Sequence, residues 1–172
     1  MKLKLLKRED AIPMLEWMHD TSVVSVLPTH FEEMTIEDCY AFIEAAKSNQ
    51  DKNLHLAICN DEDEYLGTVS LKNINPKDSN AEFAITISKK AMGQGVSGFA
   101  TREILRIAFE QLNLKRVYLC VFSDNLRAKK FYKKIGFLYE GTFRKHMLSK
   151  DGKLHDLEWY AVLKEEIEKY SR

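Results

Sequence analysis

Three glycines between an apolar strand and an amphipathic helix constrain this chain more than any other stretch. In "KKAMGQGVSGFATREIL", residues 89–105, Gly93, Gly95 and Gly98 stand in the spacing G-x-G-x-x-G. Glycine lets a loop adopt positive φ and lets other groups approach the backbone closely. Free N–H groups at the start of the following helix, helped by its dipole, bind phosphate oxygens. The same spacing opens dinucleotide-binding folds, so NAD and other pyrophosphate ligands both come into question.

The rest of the chain decides against NAD. A doubly wound dinucleotide fold needs its glycine loop in the first βαβ unit, an acid after the second strand and further βα units behind it. Asp124 does follow the strand at 115–122. The order of elements does not comply. A short strand at 2–7 precedes a helix from "EDAIPMLEWMHD", with Asp10 as its cap and Pro13 in its first turn. A second helix in "TIEDCYAFIEAAKSN" opens on Thr35 and Asp38 as a capping box. Alternating apolar runs predict strands at 54–59, 65–74 and 81–88, the first two a hairpin. The loop leads into a helix to about residue 112, with Ile104, Leu105, Ala108 and Leu112 on its apolar face. "KRVYLCVF" (115–122) is apolar on both faces in its centre and reads as a central strand. "NLRAKKFYKKIG" is a helix closed by Gly136. Strands at 137–148 and 153–163 meet at "SKDG", and "KEEIEKYSR" is a polar tail. Three antiparallel strands before the loop leave no room for a doubly wound sheet. The order gives a mostly antiparallel sheet with one parallel pair, 81–88 beside 115–122, joined by a crossover helix.

Bulk properties narrow the partners. The 172 residues suit one domain with a sizeable core. Twenty-six basic and 26 acidic side chains give a formal net charge of zero. That removes a broad electrostatic case for nucleic acid or anionic membrane. No apolar run approaches the roughly 20 residues of a membrane span, and the N-terminus has no signal-peptide pattern. Cys39, Cys59 and Cys120 are odd in number and form no CxxC. They read as mostly buried, reduced thiols of a cytoplasmic protein. Exposed strands in a neutral chain allow pairing with a second copy, a homodimer.

"AMGQGVSGFATREIL", followed about 20 residues later by "NLRAKKFYKKIGF", resembles the GNAT acetyltransferase superfamily. Within it the sequence is similar to the branch of ribosomal-protein N-terminal alanine acetyltransferases and spermidine N-acetyltransferases. The likeness extends to "YLGTVSL", "AEFAIT" and the closing "YEGTFRKHML…DGKLHDLEWYAVL", nearly the whole of a single domain over 1–172. It implies an α/β (α+β) fold: a mixed, mostly antiparallel sheet of six to seven strands, about four helices, and a parallel pair that splays. It implies acetyl-CoA as co-substrate, no metal, and direct acetyl transfer to a primary amine. The amine could be a protein N-terminus, a polyamine or an amino sugar. A non-catalytic acyl-CoA-binding or sensing domain is the alternative.

The resemblance also implies a site. The pantetheine would bind the backbone of Ile85, Thr86 and Ile87. The pyrophosphate would sit on Met92, Gly93, Gln94, Gly95, Val96, Ser97 and Gly98. The family pattern Arg/Gln-x-x-Gly-x-Gly/Ala falls here on Met92, Gly95 and Ser97, of which Gly95 matches. Asn125 matches the family asparagine that contacts the cofactor, and Lys130 on the basic helix could receive a further phosphate. Tyr132 matches the tyrosine facing the thioester sulfur, which makes it the general acid. Glu82 is the candidate base: strand alternation puts it with Ala84 and Thr86, opposite Phe83, Ile85 and Ile87. His30, His55, His146 and His155 are other candidates that nothing in the sequence places. Glu32, Glu33, Glu37 and Asp38 lie where the family shapes its acceptor site. They could attract a polyamine or serve as helix caps and surface charges.

Overall fold

The computed structural model describes residues 1–27, 29, 31–149 and 152–170. Seven strands form one sheet in the order β1-β2-β3-β4-β5-β7-β6. They are β1 (Lys2–Leu5), β2 (Leu54–Cys59), β3 (Tyr65–Asn75), β4 (Asn80–Ile87), β5 (Arg116–Phe122), β6 (Leu138–Leu148) and β7 (Leu154–Leu163). Only β4 and β5 run parallel; every other pair is antiparallel. The helices are α1 (Ala11–Met18), α2 (Thr21–Val24), α3 (Ile36–Ser48), α4 (Val96–Arg106), α5 (Leu126–Ile135) and α6 (Lys164–Tyr170). The strand count is the expected one. The two additional helices are α2, a single turn, and α6, which occupies the stretch read as a polar tail. Glu166 caps α6 by accepting from the Leu163 N–H at 2.8 Å, and Ile167 packs on the core.

Strand alternation divides the apolar side chains between two clusters. Leu56, Ile58, Val69, Leu71, Phe83 and Leu119 pack under α4 and α5. Ala57, Cys59 and Tyr65 pack on the other face with Met14, Trp17, Val23, Cys39 and Ile43 from α1, α2 and α3. The capping box at Thr35 and Asp38 forms as its residue types dictate.

Three local expectations need correction. Asp10 precedes α1 but makes no side-chain cap there; its carboxylate accepts from the Lys7 N–H at 2.8 Å and closes the preceding 3-10 turn. The loop helix does not run regularly to 112. Residues 107–111 form a π-turn, and its extra residue rotates Leu112 out to solvent while Leu114 goes into the core. On β5, Val117, Leu119 and Val121 are buried but Arg116, Tyr118 and Cys120 are only half-buried, so its second face is incompletely covered. Lys150 and Asp151 of the expected "SKDG" hairpin lie outside the described residues.

Candidate active site

The sheet opens where β4 and β5 part. Their parallel pairing runs from Asn80 with Arg116 to Glu82 with Tyr118 and stops there. Past that point the backbone of residues 83–87 has β3 on one side and no strand on the other. Unpaired backbone in the middle of a sheet is costly unless a ligand or water satisfies it. A cleft of about 260 Å³ fills the gap. Ile85, Thr86 and Ile87 line it from β4, Met92 and Ser97 from the loop, and Asn125 and Tyr132 from the opposite wall.

The glycine loop gives the cleft one polar end. Gly95 sits at the N-cap of α4 with φ 78°, a left-handed conformation that a side chain would resist, and no side chain caps the helix. The first N–H groups of α4 are therefore free of intrahelical partners. Val96 itself is buried in the core, and Gln94 turns back to donate to the Lys90 carbonyl at 2.8 Å. Gly93, Gln94, Gly95, Val96 and Gly98 thus offer backbone rather than lining side chains. Lys130 is exposed and lies outside the cleft lining; Arg127 lines it instead and reaches Met92 Sδ at 3.6 Å. Met92 lacks the polar side chain of the family pattern, and Arg127 brings a cation to the same spot from α5. Asn125 caps α5, its Oδ1 accepting from the Ala128 N–H at 3.1 Å.

Tyr132 stands against Phe83, Phe131 and Phe137. Its hydroxyl has no hydrogen-bond partner among the described residues, although it lines the cleft. Burial, with the nearby Cys120 thiol, pushes its pKa far above the ordinary phenol value. It is fully protonated at neutral pH and has a proton to give. Cys120, read from its apolar neighbours as a buried thiol, is half-buried and lines the cleft beside it. Burial raises the thiol pKa, so it stays uncharged.

A second cavity, about 410 Å³, lies on the α1–α3 face and shares Ile85 and Thr86 with the first. Its floor is the polar row of β3 and β4, and its roof is apolar side chains of α1 and α3. His55 is the one candidate histidine among its lining residues. It is hydrogen-bonded through Nδ1 to Ser70 Oγ at 2.7 Å and packs edge-on against Phe42. Burial, and then the Lys72 charge, lowers its pKa below 6.5. Glu82 is differently placed. Its Oε1 accepts from Lys72 Nζ at 2.6 Å and its Oε2 from Asn73 Nδ2 at 3.1 Å, and it lines neither cavity. His146 is exposed on β6, and His155 sits by Asp124 and Ser149. His30 lies outside the described residues. Of the four acids before and on α3, only Asp38 lines the cavity, and Thr35 engages it. Those bonds, from the Thr35 N–H and then its hydroxyl, lower the Asp38 pKa. Trp17 of α1 and Phe42 of α3 border this cavity, and part of its wall comes from β2, β3 and β4, distant in sequence.

The family model of the acetyltransferase (GNAT) domain matches residues 1–138. The spermidine N(1)-acetyltransferase of Escherichia coli (strain K12) is 33% identical over 145 residues, 81% of this chain and 74% of the relative. YdaF of Bacillus subtilis (strain 168), provisionally named a ribosomal N-acetyltransferase, is 37% identical over 102 residues. That match spans 59% of this chain and about half, 55%, of YdaF. In three dimensions the fold superposes on the spermidine N-acetyltransferase of Vibrio cholerae, solved with CoA and spermine. The TM-score is 0.88 with 21% identity, and 96% of each chain is covered.

Proposed function

Since the chain belongs to the GNAT acetyltransferase family, we propose that the two cavities meeting at Ile85 and Thr86 form one active site, one for each substrate. The protein is an acetyl-CoA-dependent N-acetyltransferase that acylates a primary amine. The observation that carries the site is the end of β4–β5 pairing at Glu82, which exposes backbone to a cleft whose mouth is the free N-terminus of α4.

The donor site fits acetyl-CoA. The open edge of residues 85–87 suits the amide-bearing pantetheine arm, and the N–H groups of 95–98 with Arg127 suit a pyrophosphate. Bound acetyl-CoA supplies the thioester carbonyl that the amine attacks. Tyr132 keeps a proton beside the place where sulfur leaves. The two cavities bring both substrates to the same strand, and that positioning supplies much of the rate.

Proton removal falls to His55 rather than to the expected Glu82. Both Glu82 oxygens already hold donors, whereas His55 is neutral at pH 7 and faces the acceptor cavity. In register, His55 opposes Ser70 and Ser70 opposes Ala84. The Ser70 hydroxyl therefore stands between the imidazole and the open strand. The acceptor ammonium gives one proton to this pair and attacks as a neutral amine. As the N–C bond forms and the C–S bond breaks, Tyr132 protonates the sulfur. The second nitrogen proton returns to the Tyr132 phenolate, and His55 releases its proton to solvent.

No helix among the described residues is long and apolar enough to cross a membrane. Three free cysteines support a reducing compartment, and we assign the cytoplasm. Release of free CoA thiol from acetyl-CoA in the presence of primary amines tests the reading. Turnover is expected; saturable binding without turnover on any amine would favour the non-catalytic alternative.

A further inference from the structure

Resting on the donor-site reading above, we infer that Met92 is an oxidation site: a hydroperoxide converts its thioether to the sulfoxide, which weakens acetyl-CoA binding by engaging Arg127. Arg127 is the only charged side chain among the described residues that line the donor cleft. Its Nη1 donates to Met92 Sδ at 3.6 Å. A thioether sulfur is a weak acceptor. The contact therefore leaves the guanidinium free to turn to a pyrophosphate, whose oxygens make stronger, charge-assisted bonds. Met92 is half-buried and lines the cleft, which opens it to a small hydroperoxide. The other methionines are placed differently. Met14, Met18 and Met34 line the acceptor cavity, Met1 opens the chain and Met147 lies on β6.

In the oxidation step a sulfur lone pair attacks a peroxide oxygen. An S–O bond forms as the O–O bond breaks. Sulfur loses two electrons, the peroxide gains them, and with hydrogen peroxide the leaving hydroxide takes the transferred proton and departs as water. The apolar thioether becomes a polar group whose oxygen carries the negative end of its dipole. Nη1 already stands against Sδ, so that oxygen forms beside the guanidinium and accepts from it more strongly than the sulfur did. The same oxygen brings partial negative charge to the place where a pyrophosphate is to bind. The two effects have the same sign: one occupies the cation of the cleft and the other repels the anion.

The test treats the purified protein with hydrogen peroxide and then with dithiothreitol, which returns disulfides and sulfenic acids to thiols. Peptide mass spectrometry reads the sulfoxide at Met92, and calorimetry reads the acetyl-CoA Kd. The Kd is expected to weaken about tenfold, the scale of one hydrogen bond to a charged group. Methionine sulfoxide reductase should restore it. In Met92→Leu the Kd should be the same before and after treatment, whatever its starting value. A loss retained in that variant would place the effect on another group, such as Cys120, and overturn the inference. In Arg127→Gln the treatment should shift the Kd far less than in the natural chain. An equal loss there would make the effect one of packing, since Met92 also touches both apolar clusters, and would overturn the role of Arg127. An unaltered Kd with Met92 oxidised, or no sulfoxide at Met92 under conditions that oxidise Met1 and Met147, overturns the inference and leaves the donor site standing. Failure of the untreated protein to bind acetyl-CoA, by contrast, removes the donor-site reading itself.

Discussion

Gly67 lies where β3 presses on the strand proposed to carry the donor site, and Gly67→Ala tests that architecture. Gly67 opposes Ile87 across the β3–β4 ladder. A Cβ there would overlap the Thr86 carbonyl oxygen and stand 3.0 Å from Ile87 Cα and 3.2 Å from Ile87 Cδ1. Ordinary Cβ contacts begin at 3.4 Å, and the main obstacle is backbone, so no rotamer change relieves it. Overpacking of this kind costs about 1–3 kcal/mol. For a chain of this length each kcal/mol lowers Tm by roughly 2–4 °C, so the expected fall is about 2–12 °C. Because the displaced segment is the open edge at 85–87, acetyl-CoA affinity should weaken as well, by roughly tenfold or ~1.4 kcal/mol. Thermal unfolding and calorimetric titration of the purified variant read both quantities. Gly67→Ala with unchanged Tm and unchanged Kd would refute the claim that β3 sets the position of the cofactor strand.

Further outcomes follow from individual side chains. Tyr132→Phe should slow turnover by about 100-fold, the low end for general acids because a thiolate is already a fair leaving group, with little change in acetyl-CoA Kd. Unchanged turnover would take the acid role from Tyr132. For His55, a pKa lowered by burial places the acid limb of kcat below pH 6.5: the base works above its folded pKa and is lost as pH falls through it. The same depression means that His55 contributes stability above pH 6.5 that disappears as pH falls through the folded value. His55→Gln should abolish both trends, and a retained acid limb would point to another base. Lys129 joins α5 to β7 through Glu158 at 2.6 Å and the Ser123 carbonyl at 2.8 Å, with both side chains mostly buried. Lys129→Met should cost about 2–3 kcal/mol, less than a fully buried pair, and Glu158→Gln added to it should recover part of the loss in chemical denaturation.

What the sequence revealed and what it hid have physical causes. The glycine loop opening a helix, the capping box at Thr35 and Asp38, and the 81–88/115–122 crossover are local or nearest-neighbour features, and residue type and element order specify them. Strand alternation likewise put Ala84 and Thr86 on one face, where they line the cavity under α1 and α3. Departures from pairing leave no such signature. Cys120 has the apolar neighbours of a core strand, yet the parting of β4 and β5 exposes it to the cleft. His55 is polar in an apolar run. Only its cross-strand partner Ser70 and the roof of α3, both distant in sequence, bring it to the site. Glu82 shows the reverse: alternation chose its face correctly, but the register that pairs it with Lys72 occupies the carboxylate. Leu112 followed helical spacing until a π-turn changed the period.

On the proposed reading, the parted strands and the glycine loop hold acetyl-CoA. Calorimetric titration of acetyl-CoA into the purified protein, with NAD as the control, tests it most directly. Saturable binding of one acetyl-CoA per chain is expected, with no heat from NAD beyond dilution. Absence of acetyl-CoA binding, or equal binding of NAD, would contradict it.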